Sequence, residues 1–135
     1  MPLLVDTGFL YALADRSDAW HVRICTYLET NRLTLLAPVT ILAEVAYLLR
    51  ERIGARSEQA FVESIGRGEV AVEDVKRGDW PRIEKVMAEY EQLGLVDASI
   101  VAVAERLKTS VLATTDRRHF SAVRPKHVER FTLVP

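Results

Sequence analysis

Cysteine is almost absent from this chain of 135 residues, in which Cys25 is the only one. An internal disulfide is therefore impossible, and a reducing compartment, the cytoplasm, is the simplest expectation. A zinc site is also not expected, because the three histidines, His21, His119 and His127, do not have the spacing of zinc ligands. We interpret all three histidines as structural or surface residues.

Long hydrophobic runs are missing as well. No stretch is long and apolar enough to cross a bilayer, so no membrane partner is expected. The apolar segment Leu3–Ala14 lacks a basic leader and is interrupted by Asp6, so we do not expect a signal peptide. Because repeats, linkers and low-complexity stretches are also lacking, the sequence predicts a single domain over residues 1–135.

The chain has no excess of positive charge. It carries 18 Lys and Arg against 19 Asp and Glu, a net charge of −1. The charges are unevenly distributed, because residues 117–130 contain five basic residues and a single acid, Glu129. This distribution allows an acidic pocket beside a basic rim, although a basic run is more often only a solvated surface.

Four acidic residues interrupt or end apolar segments: Asp6, Glu44, Asp97 and Asp116. A carboxylate at the edge of a core costs free energy unless something compensates its charge. Four such groups from distant segments suggest one shared compensator, and a divalent cation is the natural candidate. An all-oxygen ligand set suits Mg²⁺ or Mn²⁺ rather than zinc.

Each acid also has an ordinary structural interpretation. Asp6, Asp97 and Asp116 stand where helix N-caps or turns are expected. Glu44 lies at the margin of an apolar helix face, from which its side chain can reach water. The residues alone therefore leave open a non-catalytic binding domain, in which these acids only cap helices or face solvent.

Strand-like and helix-like segments alternate along the chain. The predicted strands are Leu3–Val5, Leu33–Ala37, Val70–Val75, Val111–Ala113 and a fifth candidate, Phe131–Val134. The predicted helices cover residues 7–14, 19–30, 40–53, 57–66, 80–93 and 96–107, with Asp18, Ser57 and Asp79 as N-caps. This alternation predicts an α/β fold, a three-layer α/β/α sandwich with a mainly parallel sheet of four to five strands. Ligands bind at the carboxyl ends of such strands, an edge that Asp6 and Asp116 should share.

The chemistry that fits this pattern is hydrolysis of a phosphodiester. Two carboxylates about 4 Å apart repel each other by about 4 kcal/mol at an effective dielectric of 20, and a bound cation reverses that sign. One metal ion can polarise an attacking water and a second can stabilise the leaving oxygen. Arg117 and Arg118 directly follow Asp116 and are expected to hold the phosphates of a nucleic-acid backbone.

The segments that carry these acids resemble the motifs of PIN domains, and more narrowly those of VapC-like toxin nucleases from toxin–antitoxin pairs. The matching segments are Leu4–Leu10, Pro38–Glu44, Leu95–Ala102 and Ala113–Phe120. The resemblance implies an endoribonuclease that depends on Mg²⁺ or Mn²⁺. It implies Asp6, Asp97 and Asp116 as direct metal ligands and Glu44 as a ligand that binds directly or through water.

The same resemblance implies a few further features. Thr115 matches a polar residue that orients water or metal. Independently of the resemblance, Thr7 is expected to be a minor helper of Asp6 in capping the helix that follows. The partners that it implies are an RNA substrate, a small antitoxin that covers the active site and a second copy of the chain in a homodimer.

Two other enzymes are alternatives. A haloacid-dehalogenase-like phosphatase also places an aspartate after its first strand, but it needs a second aspartate where this chain has Gly8. A housekeeping PIN nuclease that processes RNA would carry the same acids, and the sequence separates it poorly from a toxin.

Overall fold

The computed structural model describes residues 2–135, and these contain five strands. They are β1 (Pro2–Val5), β2 (Thr34–Pro38), β3 (Val70–Glu73), β4 (Val111–Ala113) and β5 (Thr132–Val134). The strands form one sheet in the order β3-β2-β1-β4-β5, and every neighbouring pair is parallel. The prediction of a mainly parallel sheet is confirmed, with five strands.

Helices connect the strands. They are α1 (Thr7–Ala14), α2 (His21–Thr30), α3 (Val39–Arg52), α4 (Ala55–Gly66), α5 (Asp79–Glu89), α6 (Leu95–Leu107) and α7 (Arg117–Ser121). From β1 the chain moves to β2 and then to β3, in one direction across the sheet. The connection from β3 to β4 then returns in the opposite direction and passes β1. Because connections between parallel strands are right-handed, α1–α4 and α5–α6 lie on opposite faces. This gives the expected three layers.

The central strand β1 is covered on both faces, and this explains its sequence. Leu3, Leu4 and Val5 are almost fully buried, as expected for a strand inside a parallel sheet. Leu4 is in register with Leu36 of β2 on one side and with Leu112 of β4 on the other. The apolar run therefore fixes the middle of the sheet, and the residue that follows it is carried to the sheet edge.

That edge contains the point where the strand order changes direction. The chain leaves β1 towards β2, whereas β4 lies on the other side of β1. In open α/β sheets the crevice at such a point, outside the carboxyl ends of the strands, is the usual ligand site. Asp6 follows β1 and Asp116 follows β4 after two threonines, so both lie at this crevice.

Three predicted N-caps are wrong. Helix α2 begins at His21, and Asp18 instead accepts a hydrogen bond from the backbone N–H of Trp20 at 2.8 Å. Helix α4 begins at Ala55, so Ser57 lies within its first turn. Asp18 thus satisfies a local backbone group without being the cap.

Asp79 is the third of these residues, and its role is tertiary. It is the first residue of α5 rather than its cap, and it is only 5% exposed. Its carboxylate accepts hydrogen bonds from the backbone N–H of Lys76 at 2.8 Å and from Nε of Arg106 at 3.0 Å. A buried carboxylate needs such a partner, and sequence spacing does not reveal an arginine 27 residues away.

Some element limits differ from the prediction. Strand β2 includes Pro38, β3 ends at Glu73, and α5 ends at Glu89, four residues before Leu93. Helix α7 was not predicted, because five residues are too few to show a helical period. Within residues 2–135, no helix is both long and apolar enough to pass through a membrane.

Candidate active site

Asp6 is held at the sheet edge by its backbone and by its side chain. Its backbone N–H donates to the carbonyl of Ala113 at 3.0 Å, which extends the pairing of β1 with β4 by one residue. Its Oδ1 accepts from the backbone N–H of Phe9 at 2.8 Å, so Asp6 is the N-cap of α1. The capping interpretation is therefore correct for one oxygen, and Oδ2 remains available for another role.

Oδ2 of Asp6 accepts a hydrogen bond from the hydroxyl of Thr114. Thr114 is fully buried, and its oxygen also accepts from the backbone N–H of Asp116 at 2.8 Å. One hydroxyl thus connects the acid after β1 to the acid after β4. The sequence motif points to Thr115, because neighbouring threonines cannot be distinguished without the strand pairing.

Thr115 packs against the start of α1. A methyl group built on Gly8 would lie 2.2 Å from Oγ1 of Thr115, so only glycine fits there with the threonine in place. The aspartate that the phosphatase alternative requires at this position would meet the same obstruction. Thr115 lines the cleft, and its side chain packs against Gly8.

Asp116 and His119 lie together at the start of α7. Oδ1 of Asp116 accepts from the backbone N–H of His119 at 3.1 Å, which makes Asp116 the N-cap of α7. Its Oδ2 lies 2.8 Å from Nδ1 of His119.

Asp97 lies across from Asp116 and His119, in the first turn of α6, and its Oδ2 is 3.6 Å from Nδ1 of His119. Asp97 does not cap its helix, since that position belongs to Gly94.

His119, which the sequence alone suggests is a structural or surface residue, lies beside two of the acids. Asp97, Asp116 and His119 each offer a ligand atom within 4.8 Å of the others. The spacing of three residues between Asp116 and His119 is the available sequence signal, because residues i and i+3 share a helix face. The signal was missed because α7 was not predicted.

Glu44 faces the cleft from α3. It is exposed, and its Oε1 accepts from the hydroxyl of Thr7 at 2.6 Å. Thr7 therefore contacts Glu44, whereas Asp6 is supported by Thr114. All four predicted acids, together with Thr7 and Thr115, line one cleft of about 430 Å³.

The cleft is not the largest concavity of the described residues. A groove of about 670 Å³ lies at the start of β1 and β4, at the opposite edge of the sheet, and its lining is mostly apolar. We assign the site by its convergent carboxylates rather than by its volume, because titratable groups that perturb one another mark functional sites.

Crowding and burial change the acidity of two of these groups. Burial, with smaller contributions from the carboxylates of Asp97 and Asp116, raises the pKa of Asp6 to about 6, while the hydrogen bonds from Thr114 and Phe9 oppose the rise. Burial likewise raises the pKa of Asp97, with a contribution from Asp116, while His119 opposes the rise. Both shifts mean that negative charge is uncompensated in this cleft.

The donor set fits a divalent cation. Carboxylate oxygens predominate, which Mg²⁺ and Mn²⁺ prefer. Nδ1 of His119 is buried and has no hydrogen-bond partner of good geometry, although two carboxylates lie within 4 Å of it. Asp97, Asp116 and His119 are the residues whose ligand atoms lie within 4.8 Å of one another, while Asp6 and Glu44 line the same cleft without joining that group.

Arg117 and Arg118 begin α7 directly behind Asp116, and both are exposed. The guanidinium of Arg117 donates to the carbonyl of Pro135. A second surface depression, lined by residues 115–119, adjoins the cleft. The arginines are thus positioned beside the acids, and their role in binding RNA stays a prediction.

Comparison with known proteins agrees with this geometry. The family model for the PIN domain matches residues 3–125. Ribonuclease VapC26 of Mycobacterium tuberculosis (strain ATCC 25618 / H37Rv) is 28% identical over 135 residues, which cover 98% of this chain and 100% of that protein.

Solved structures show the same fold. The crystal structure of Mycobacterium tuberculosis VapC20, a toxin that cleaves the sarcin–ricin loop, superposes with a TM-score of 0.82 at 23% identity. The match covers 93% of this chain and 98% of that one. A toxin–antitoxin complex from Klebsiella pneumoniae gives a TM-score of 0.71 at 20% identity, over 98% of this chain and 96% of that one. Since the family model spans nearly the whole chain, this chain belongs to the PIN domain family.

Proposed function

We propose that this chain is a metal-dependent endoribonuclease that hydrolyses RNA phosphodiester bonds and serves as the toxin of a toxin–antitoxin pair. The observation that carries the proposal is the convergence of Asp6, Glu44, Asp97 and Asp116 on one cleft at the switch point of the sheet. The relatives named ribonuclease and toxin support the same activity.

The chain's own residues prepare the cleft for a cation. Asp6 and Asp116 each use Oδ1 to cap a helix. This hydrogen bond fixes the orientation of each carboxylate and therefore the position of its Oδ2. Asp97 and Glu44 complete the acidic wall from α6 and α3. A bound Mg²⁺ or Mn²⁺ supplies Lewis-acid activation of water and stabilises charge on the leaving oxygen.

The substrate's phosphates would lie beside the acids. Arg117 and Arg118 are the cations adjacent to Asp116, and Arg118 is exposed at the depression that adjoins the cleft. A carboxylate cleft alone repels RNA, so a cation on the protein and basic residues at the rim must supply the attraction.

The biological setting follows from the family. We infer a small antitoxin as partner, a homodimer as assembly, the cytoplasm as location and residues 1–135 as one nuclease unit. The single cysteine fits a reducing compartment. A housekeeping PIN nuclease that processes RNA remains the alternative.

An RNA cleavage assay tests the activity. With Mg²⁺ or Mn²⁺, we expect the purified chain to cut RNA, EDTA to stop it, and Asp97→Asn to abolish it. Asp74→Asn is the matched control, because Asp74 is exposed and lies outside the cleft. Full cleavage by Asp97→Asn protein would reject the metal mechanism.

A growth assay separates the toxin from the housekeeping nuclease. Expression of the wild-type chain in a bacterial host should arrest growth, and Asp97→Asn should relieve the arrest. Normal growth with active nuclease present would favour the housekeeping role.

A further inference from the structure

His119 offers a nitrogen atom beside two acids of the cleft, Asp97 and Asp116. Its Nδ1 lies 2.8 Å from Oδ2 of Asp116 and 3.6 Å from Oδ2 of Asp97. The backbone of His119 is also fixed, because its N–H donates to the other oxygen of Asp116 at 3.1 Å. The first turn of α7 therefore presents one nitrogen and one oxygen to the same space.

Nδ1 of His119 lacks a hydrogen-bond partner, and this lack indicates its role. Nδ1 of His119 is buried without a hydrogen-bond partner, as is Nδ1 of His127, but the nitrogen of His119 also has two carboxylate oxygens within 4 Å. A structural His–Asp pair would align a ring N–H with an oxygen, because buried polar groups usually make their hydrogen bonds. In the tautomer without a proton on Nδ1, this nitrogen has a lone pair that can bind a metal ion held by the neighbouring oxygens.

The distances also fit neighbouring ligands of a single ion. Two adjacent ligand atoms of an octahedral ion with bonds of about 2.1 Å lie about 3 Å apart. The 2.8 Å between Nδ1 of His119 and Oδ2 of Asp116 is close to that value. Asp97 then supplies a third atom of the same group.

We propose that His119 binds the catalytic ion through Nδ1, so that the centre has mixed nitrogen and oxygen ligands and prefers Mn²⁺ to Mg²⁺. This inference rests on the proposed metal dependence. Mg²⁺ favours oxygen ligands, whereas imidazole favours transition metals. Loss of the imidazole should therefore weaken Mn²⁺ binding more than Mg²⁺ binding.

Electron spin-echo spectroscopy of bound Mn²⁺ tests the contact without measuring activity. Tag-free wild-type protein loaded with Mn²⁺ should show modulation from a directly coordinated ¹⁴N nucleus. Protein labelled with ¹⁵N-histidine should replace it with the ¹⁵N pattern, and His119→Gln should lose it. His127→Gln is the matched control and should keep the signal, since His127 bonds to Thr109 and contacts Phe131, away from the acids.

Calorimetry tests the preference. His119→Gln should lower Mn²⁺ affinity at least about tenfold, with a smaller change for Mg²⁺, and His127→Gln should leave both unchanged. Wild-type protein that binds Mn²⁺ without histidine modulation would overturn this inference and leave the proposed function intact. Wild-type protein that binds neither ion would overturn both. The isotope experiment needs only wild-type protein, so it decides the question even if His119→Gln does not fold.

Discussion

The hydroxyl of Thr114 donates a hydrogen bond to Oδ2 of Asp6, although 108 positions separate the two residues in the sequence. The same oxygen accepts from the backbone N–H of Asp116. Because Thr114 is fully buried, water does not compete for these bonds. One buried side chain thus joins the acid after β1 to the acid after β4, in addition to the pairing of the two strands.

Thr114→Val removes this hydroxyl at nearly constant shape. We expect the free energy of unfolding to fall by about 1–3 kcal/mol, because Oδ2 of Asp6 and the N–H of Asp116 both lose a buried partner. Urea denaturation measures the change. Thr132→Val, at an exposed threonine of β5, should stay within about 0.5 kcal/mol of wild type. Equal effects of the two substitutions would contradict the role of Thr114.

Gly8→Ala tests the contact between α1 and the loop after β4. The new methyl group would lie 2.2 Å from Oγ1 of Thr115, so the threonine must move, and we expect a loss of about 1–3 kcal/mol. Adding Thr115→Ala removes that oxygen and should recover part of the loss, a coupling of about 0.5–3 kcal/mol in a double-mutant cycle.

The matched glycine for this cycle is Gly66, where a methyl group meets nothing within 4 Å. Gly66→Ala should be neutral or stabilise by up to about 1 kcal/mol. Strictly additive effects of Gly8→Ala and Thr115→Ala would show that the two side chains do not compete for the same space.

Asp6 makes the stability of the metal-free chain depend on pH. Its pKa rises from 3.8 to about 6 on folding, so between these values the folded chain binds more protons than the unfolded chain. The free energy of unfolding should therefore fall as pH increases from about 4 to about 6, by about 3 kcal/mol in all. Thermal unfolding in EDTA over this pH range measures it.

Two further measurements test whether the Asp6 carboxylate causes this pH dependence. Asp6→Asn should remove most of the pH dependence and stabilise the metal-free chain at pH 7. Adding Mn²⁺ above pH 6 should raise the free energy of unfolding of the wild-type protein, because the ion binds only the folded site. A slope that is the same in Asp6→Asn protein would assign the pH dependence to other groups.

Arg118→Gln tests the basic rim. In the cleavage-deficient Asp97→Asn background, we expect weaker binding of single-stranded RNA and a slope of log K against log salt that is shallower by about 0.7. Fluorescence anisotropy at several salt concentrations measures both. Arg67→Gln is the comparison, since Arg67 is exposed and precedes β3, at the edge opposite the cleft. Matching curves for the two variants would mean that Arg118 is only surface.

The acidic quartet was predictable because each acid stands at a visible break in an apolar run. Asp6 and Asp116 follow strands whose apolar residues are buried, and a parallel sheet brings the carboxyl ends of its strands to one edge. The prediction from local spacing was wrong for Asp79 of α5, which resembles an N-cap in the sequence but pairs with Arg106 in the structure. Local spacing cannot distinguish a capping aspartate from one that bonds across helices.

The sequence by itself determined the alternation of strands and helices, the edge at which the acids meet and the chemistry that oxygen ligands favour. Only the tertiary structure decided that Thr114 supports Asp6 and that His119 joins the acids. The physical reason is that the first contact depends on β4 lying beside β1, a pairing of strands more than a hundred residues apart, and the second on α7 lying beside the start of α6. Short apolar runs specify that strands form, but not which strands become neighbours.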